Sequence, residues 1–324
     1  MELQGTAGEI PFYDELPTIE ATGEHHSWDV FGRDDELGTL NFIQPNAVAA
    51  AAHGVRDGRV ICLSLPLNVP YPALSSSRPP YHHEVYRSRM GRDDSLSGFY
   101  LQCSSQWDSL QHIRYREFGY YGGREEEDLD RGALGIDVMA RHGIVSRGVL
   151  IDVEAYLRKH GKALPAAERI SITTELLDAV LASQNVDLLP GDVVILRTGW
   201  LSWYLQLDQQ GRESLQGRQR GGEGALACPG LDPGVNMARW LWDHRVSAIA
   251  ADNPALEVLP VDREAGFLHR RILALLGMPI GEFFAVDELA EVCAQRQSWT
   301  FMFTSAPLNL PGGVGSPNNA YAVL

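Results

Sequence analysis

Three short, nearly continuous apolar runs constrain the fold of this chain more than any other feature. Arg147-Gly-Val-Leu-Ile-Asp-Val153, Asp192-Val-Val-Ile-Leu-Arg-Thr198 and Val246-Ser-Ala-Ile-Ala-Ala251 are each bounded by glycine or polar residues, the pattern of strands buried on both faces. Between the first two, Thr173–Ser183 carries a threonine cap, an acidic first turn and apolar residues at helical spacing. Pro233–His244, Glu264–Gly277 and Asp287–Gln295 read as further helices. Pro45–His53 reads as a short one, with proline in its first turn and Gly54 as its stop. Gly58–Leu67 and Thr300–Ser305 read as additional strands. This interleaving predicts an α/β fold with a mixed sheet flanked by helices.

Composition sets the outer limits. The chain has 324 residues, 44% apolar and 21% charged, enough for a sizeable core and unlike a disordered sequence. Residues 1–34, rich in proline, glycine and acidic groups, are expected to wrap the surface, and 35–324 to form a single α/β domain. A formal charge of −15 argues against a nucleic-acid partner. The basic cluster Arg87–Arg92 is flanked by acidic residues and reads as a solvated loop. Cys62, Cys103, Cys228 and Cys293 form neither a zinc-ribbon pattern nor a disulfide framework. The acidic amino terminus has no signal pattern, and no apolar run approaches the roughly 20 residues that cross a bilayer. A soluble cytoplasmic protein with no membrane partner is the expectation. The aperiodic stretches 68–97, 116–135 and 205–228 read as long excursions where selectivity would reside. Gly312–Pro317 looks loosely like a nucleotide loop but lacks a following helix, so it is expected to be a closing loop.

The chemistry gathers around Gln102–His112. If Leu101–Asp108 is a strand, alternation puts Gln102, Ser104, Gln106 and Asp108 on one face. Such a row is either a convergent site or the solvated face of an edge strand. His112 follows Asp108 by four residues, where a turn brings its imidazole back over the row. His269 lies on an otherwise apolar helical face and is either a satisfied core residue or a ligand. Glu282 follows a Pro and Gly turn, and its burial would require a cation or hydrogen-bond donors: a metal, an arginine or a backbone N–H. Tyr100, Trp107, Phe283 and Phe284 adjoin these residues and would serve equally as a small-molecule substrate pocket or as core.

In this order the residues resemble the cyclase superfamily of metal-dependent hydrolases, which includes kynurenine formamidase and isatin hydrolase. The family motif reads His-x-Gly-Thr-His-x-Asp-x-Pro-x-His. Gln102 and Gln106 stand at the two leading histidines, Asp108 at the aspartate and His112 at the last histidine. Gly38-Thr-Leu-Asn41, Arg147–Asp152, Gly191–Trp200, Ala251-Asp-Asn-Pro254, His269, Glu282 and Pro307–Pro317 carry the resemblance along residues 35–324. It implies a swivelling β/β/α fold, a homodimer and a divalent metal. The ligands would be Asp108, His269 and Glu282 with help from Gln102 and Gln106, and His112 would be the acid or base.

A glutamine oxygen is a harder and weaker ligand than an imidazole nitrogen. Three outcomes follow: zinc is kept, a harder ion such as manganese replaces it, or the row binds substrate without metal. The spacing Gln-x-x-x-Gln-x-Asp-x-x-x-His resembles the trans-dienelactone hydrolase branch, described as zinc-dependent, which favours retention. Ser104-Ser105 and Leu110 replace the Gly-Thr and Pro of the motif, changing the turn between ligands. The expected activity is hydrolysis of a lactone or amide of a small, aromatic-derived molecule. A ring-closing cyclase or dehydratase of polyketide type and a metal-free binding protein are the alternatives.

Overall fold

The computed structural model describes residues 10–218, 224–262 and 264–324. In chain order its strands begin with β1 (Val60–Cys62), β2 (His82–Arg87), β3 (Arg92–Ser97), β4 (Gln106–Asp108) and β5 (Ile144–Asp152). β6 (Ser171–Ile172), β7 (Val193–Arg197), β8 (Gly230–Leu231) and β9 (Ala248–Ala251) follow. β10 (Ile280–Glu282), β11 (Thr300–Ser305), β12 (Gly315–Pro317) and β13 (Ala320–Val323) complete the set. Nine of them make one mixed sheet, ordered β1-β13-β11-β5-β7-β9-β10-β4-β12. β5, β7, β9 and β10 run parallel at its centre, and the other neighbours pair antiparallel.

The apolar runs account for that centre. Alternation sends Val149, Ile151, Val194, Leu196, Ile249 and Ala251 to one face and Leu150, Val193, Ile195, Ala248 and Ala250 to the other. Helices Val153–Lys159, Thr174–Gln184 and Val235–Asp243 cover the first face. Ile136–His142 and Asp287–Arg296 cover the second. Both faces are buried, as parallel strands require, and the α/β expectation holds. No helix among the described residues is long and apolar enough to cross a membrane.

Polar residues of the family-like blocks lock the strand ends. Arg147 grips Asp192 through Nε and Nη2 at 2.8 and 2.6 Å, joining β5 to β7. Asp252, after β9, accepts from Thr198 N and Oγ1 at 2.7 Å each and from Gly199 N at 2.8 Å. Burial pushes its carboxyl up to about 6 in spite of these donors.

Three stretches differ from their sequence pattern. Residues 68–97 contain the hairpin β2–β3, which is exposed on both faces and so leaves no apolar alternation. Gly58–Leu67 shrinks to the three residues of β1. Gly312–Pro317, expected as a closing loop, supplies β12, whose Pro317 is tolerated because β12 is the edge of the sheet.

Gly38 shows how closely the amino-terminal block is seated. Its φ is +56°, and an added Cβ would lie 1.9 Å from the Gly277 carbonyl oxygen. Thr39 N donates to that same oxygen at 2.9 Å. Gly38→Ala is expected to cost roughly 3 kcal/mol through overpacking and a strained φ. The check is a lower denaturant midpoint at unchanged slope.

Candidate metal centre

β4 and β10 pair with Gln106 opposite Glu282 and Asp108 opposite Ile280. Side chains at paired positions share a face, so Gln106, Asp108 and Glu282 project together from the sheet. Ile280 belongs to the core on that side, which also holds Leu268, Ile272, Leu273 and Leu276. The segment carrying His269 therefore packs onto the face bearing the carboxylates.

That segment departs from the expected α-helix. After His269 the chain turns as a π-helix over Arg270–Leu275, a rare geometry that is frequent at functional sites. Glu257, fully buried, holds the histidine: its Oε1 lies 2.5 Å from His269 Nδ1, and its Oε2 accepts from Leu268 N at 2.7 Å. With Nδ1 engaged, Nε2 faces the carboxylates. Glu257 went unnoticed in the sequence, although a lone carboxylate within Ala255-Leu-Glu-Val-Leu259 is itself a sign of a buried partner.

His269 Nε2 lies 3.3 Å from Glu282 Oε1 and 3.9 Å from Asp108 Oδ2. Ligand atoms of Asp108, His269 and Glu282 all fall within 4.8 Å of one another, and all three residues are buried. Asp108 Oδ2, His269 Nε2 and Gln106 Oε1 are buried without a hydrogen-bond partner. Orphaned acceptors beside an imidazole nitrogen, in a site rich in negative charge, are what a divalent cation satisfies. One nitrogen and two carboxylate donors suit zinc, with positions left for other ligands. Burial opposes a charge on His269, but Glu257 and Glu282 outweigh it and raise its pKa to about 9. A metal entering here would displace that proton, so its affinity should fall with acidity.

Both glutamines donate to the carboxylates of the trio. Gln106 Nε2 donates to Glu282 Oε2 at 2.8 Å, and its orphaned Oε1 is the amide atom open to an ion. Gln102 Nε2 lies 2.5 Å from Asp108 Oδ1 and 3.0 Å from His112 Nδ1, bridging the two. His112 Nε2 stands 3.9 Å from Asp108 Oδ2. Gln102 does not arrive by strand alternation, because the strand begins only at Gln106. Ser104 turns away and gives its hydroxyl to the Val69 oxygen at 2.6 Å. Gly315 on β12 makes the room: a Cβ there would sit 2.8 Å from Gln102 Cγ.

A cavity of about 430 Å³ opens beside Gln102 and Glu282, with Phe283, Leu226 and Leu259 among its walls. Of the aromatic residues expected to line a pocket, Phe283 does so. Trp107 and Phe284 point through the opposite face of the sheet into the core, ring centroids 5.1 Å apart, because alternation opposes Trp107 to Gln106 and Asp108. Tyr100 is 42% exposed and is not part of the cavity wall.

Glu257→Gln is expected to weaken metal binding about 10- to 100-fold, since a second carboxylate fixes the ring and its basicity. Competition with a chromogenic chelator reads this directly, and an unchanged affinity would remove Glu257 from the account.

Comparisons with known proteins follow the same lines. Residues 37–258 match the Cyclase family, described as "Putative cyclase". A crystal structure titled a novel cyclase is 32% identical, covering 92% of this chain and 99% of its own, with a TM-score of 0.79. Isatin hydrolase A from Labrenzia aggregata, bound to benzyl benzoate, is 15% identical, covering 86% and 98%, with a TM-score of 0.58. Isatin hydrolase A from Ralstonia solanacearum is 18% identical, covering 86% and 96%, with a TM-score of 0.58. These two likenesses concern the fold. No curated protein matches the chain significantly.

Proposed function

The chain belongs to the Cyclase family, and on that premise we propose that it is a metal-dependent hydrolase opening a cyclic ester or amide of a small molecule. The observation that carries this reading is the buried trio Asp108, His269 and Glu282, in which Asp108 Oδ2 and His269 Nε2 have no hydrogen-bond partner. These three residues would hold the ion, with Gln106 Oε1 in reach as a further donor. A divalent ion, when bound, supplies polarisation of the scissile carbonyl and a lowered pKa for water.

The remaining work falls to the chain. His112 sits at the rim of the trio with its side chain 18% exposed, close enough to Asp108 to carry a proton from water to the leaving oxygen or nitrogen. Gln102 fixes that imidazole through Nδ1. Gln106 keeps the Glu282 carboxylate aimed at the centre. Phe283, with Leu226 and Leu259, gives an apolar wall for the substrate ring. Zinc in preference to manganese, a homodimer and a cytoplasmic setting belong to this reading as its finer parts. The metal-free binding alternative would leave three buried polar atoms unsatisfied, an arrangement that costs stability without a return.

The test is a panel of lactones and cyclic amides offered to protein as purified, after chelation, and after return of Zn²⁺ or Mn²⁺. Hydrolysis that disappears on chelation and returns with the ion supports the reading. Turnover that survives complete chelation sinks it.

A further inference from the structure

Two arginines from segments far apart in sequence meet at the cavity. Arg78 comes from the excursion after β1, and Arg218 from the one after helix Trp200–Gln206. A backbone hydrogen bond from Gly217 N to the Leu74 oxygen, 2.8 Å long, ties the two excursions together. Both arginines line the same cavity as Gln102 and Glu282.

Each guanidinium is held but not neutralised. Arg78 gives one N–H to the main-chain oxygen of Gln102, which pins it above the residue bridging Asp108 and His112. Arg218 gives its Nε–H to the Ser214 oxygen at 2.8 Å. Among the described residues, neither has a carboxylate within ion-pair distance; other arginines share that state, and these two are set apart by lining one cavity. Two guanidiniums on one cavity wall, neither ion-paired among the described residues, offer an outside anion a place to bind. A guanidinium has five N–H donors in a planar fork, and most of each fork is still available. Glu282 of the trio lines the same cavity but is buried, whereas Arg218 is exposed and Arg78 part-buried. The cavity thus runs from a buried carboxylate of the trio to positive charge nearer the surface.

The geometry points to a substrate bearing a carboxylate remote from the bond that reacts, bound by Arg78 and Arg218 while its ring lies against Phe283. The position of the reacting bond rests on the hydrolase reading above; the anion site does not. Both excursions were expected to hold selectivity, and this assigns the selecting residues. Part of the second one, 219–223, lies outside the described residues.

Calorimetric titration with cinnamate and its neutral isostere cinnamamide tests the site on metal-replete protein. Cinnamate should bind at least about tenfold tighter, as charge-assisted pairing with arginine allows. In the double variant R78Q/R218Q the preference should shrink to within about twofold. A preference that persists there means that the ion alone holds the carboxylate and overturns the proposal. Equal binding of both probes by the unaltered protein overturns it as well. R218Q alone, at an exposed position, should lower the preference about threefold, and it carries the test if the double variant does not fold. The hydrolase reading fails by a different result, turnover without metal, which leaves arginine-dependent anion binding intact.

Discussion

Asp108→Asn is expected to lower kcat/KM by about 10³-fold or more, because losing the ion removes several kcal/mol of charge stabilisation in the transition state. The substitution keeps the shape of a side chain that is fully buried and removes only its charge. It also alters a ligand atom that has no hydrogen-bond partner, Oδ2. Bound metal should fall with the activity. Stability separates this from unfolding: the metal-free variant should melt no lower than the metal-free parent, since it no longer buries a carboxylate among carboxylates. A variant that keeps its metal and most of its activity would contradict the assignment of Asp108.

His112→Gln should show a different pattern. The imidazole lies at the edge of the centre, 3.9 Å from Asp108 Oδ2, and is oriented through Nδ1 by Gln102. Removing a positioned acid or base costs about 10²- to 10⁴-fold in kcat. Metal content should stay at the parent level and KM should move little, because the ring is asked to move a proton and not to hold the ion. A fall below about tenfold would mean that another group, or water, carries the proton. Loss of metal would instead make His112 a ligand.

The contrast between what the residues foretold and what they hid has a physical basis. β5, β7 and β9 were legible through the continuous apolar runs Val149–Ile151, Val193–Leu196 and Ala248–Ala251, as burial on both faces requires. The trio was foreseen through the family resemblance, since Asp108, His269 and Glu282 are joined only by tertiary packing. Strand β12 was hidden: Gly315-Ser-Pro317 has neither alternation nor β-favouring residues, and its place depends on β4 beside it. The hairpin β2–β3 was hidden for the opposite reason, with no buried face to impose a pattern. Gln102 was placed correctly near Asp108 but by the wrong path, a turn over Gly315 in place of an extended strand. Glu257 was missed because a residue supporting a ligand leaves no spacing rule of its own; its mark is burial without an opposite charge nearby in sequence.

The proposed function requires Asp108, His269 and Glu282 to form one metal centre. Anomalous diffraction from crystals of metal-replete protein tests it most directly. A peak is expected about 2.0–2.2 Å from Asp108 Oδ2, His269 Nε2 and a Glu282 carboxylate oxygen, the range of zinc bonded to nitrogen and oxygen. A peak elsewhere, or none in protein that turns over substrate, would contradict it.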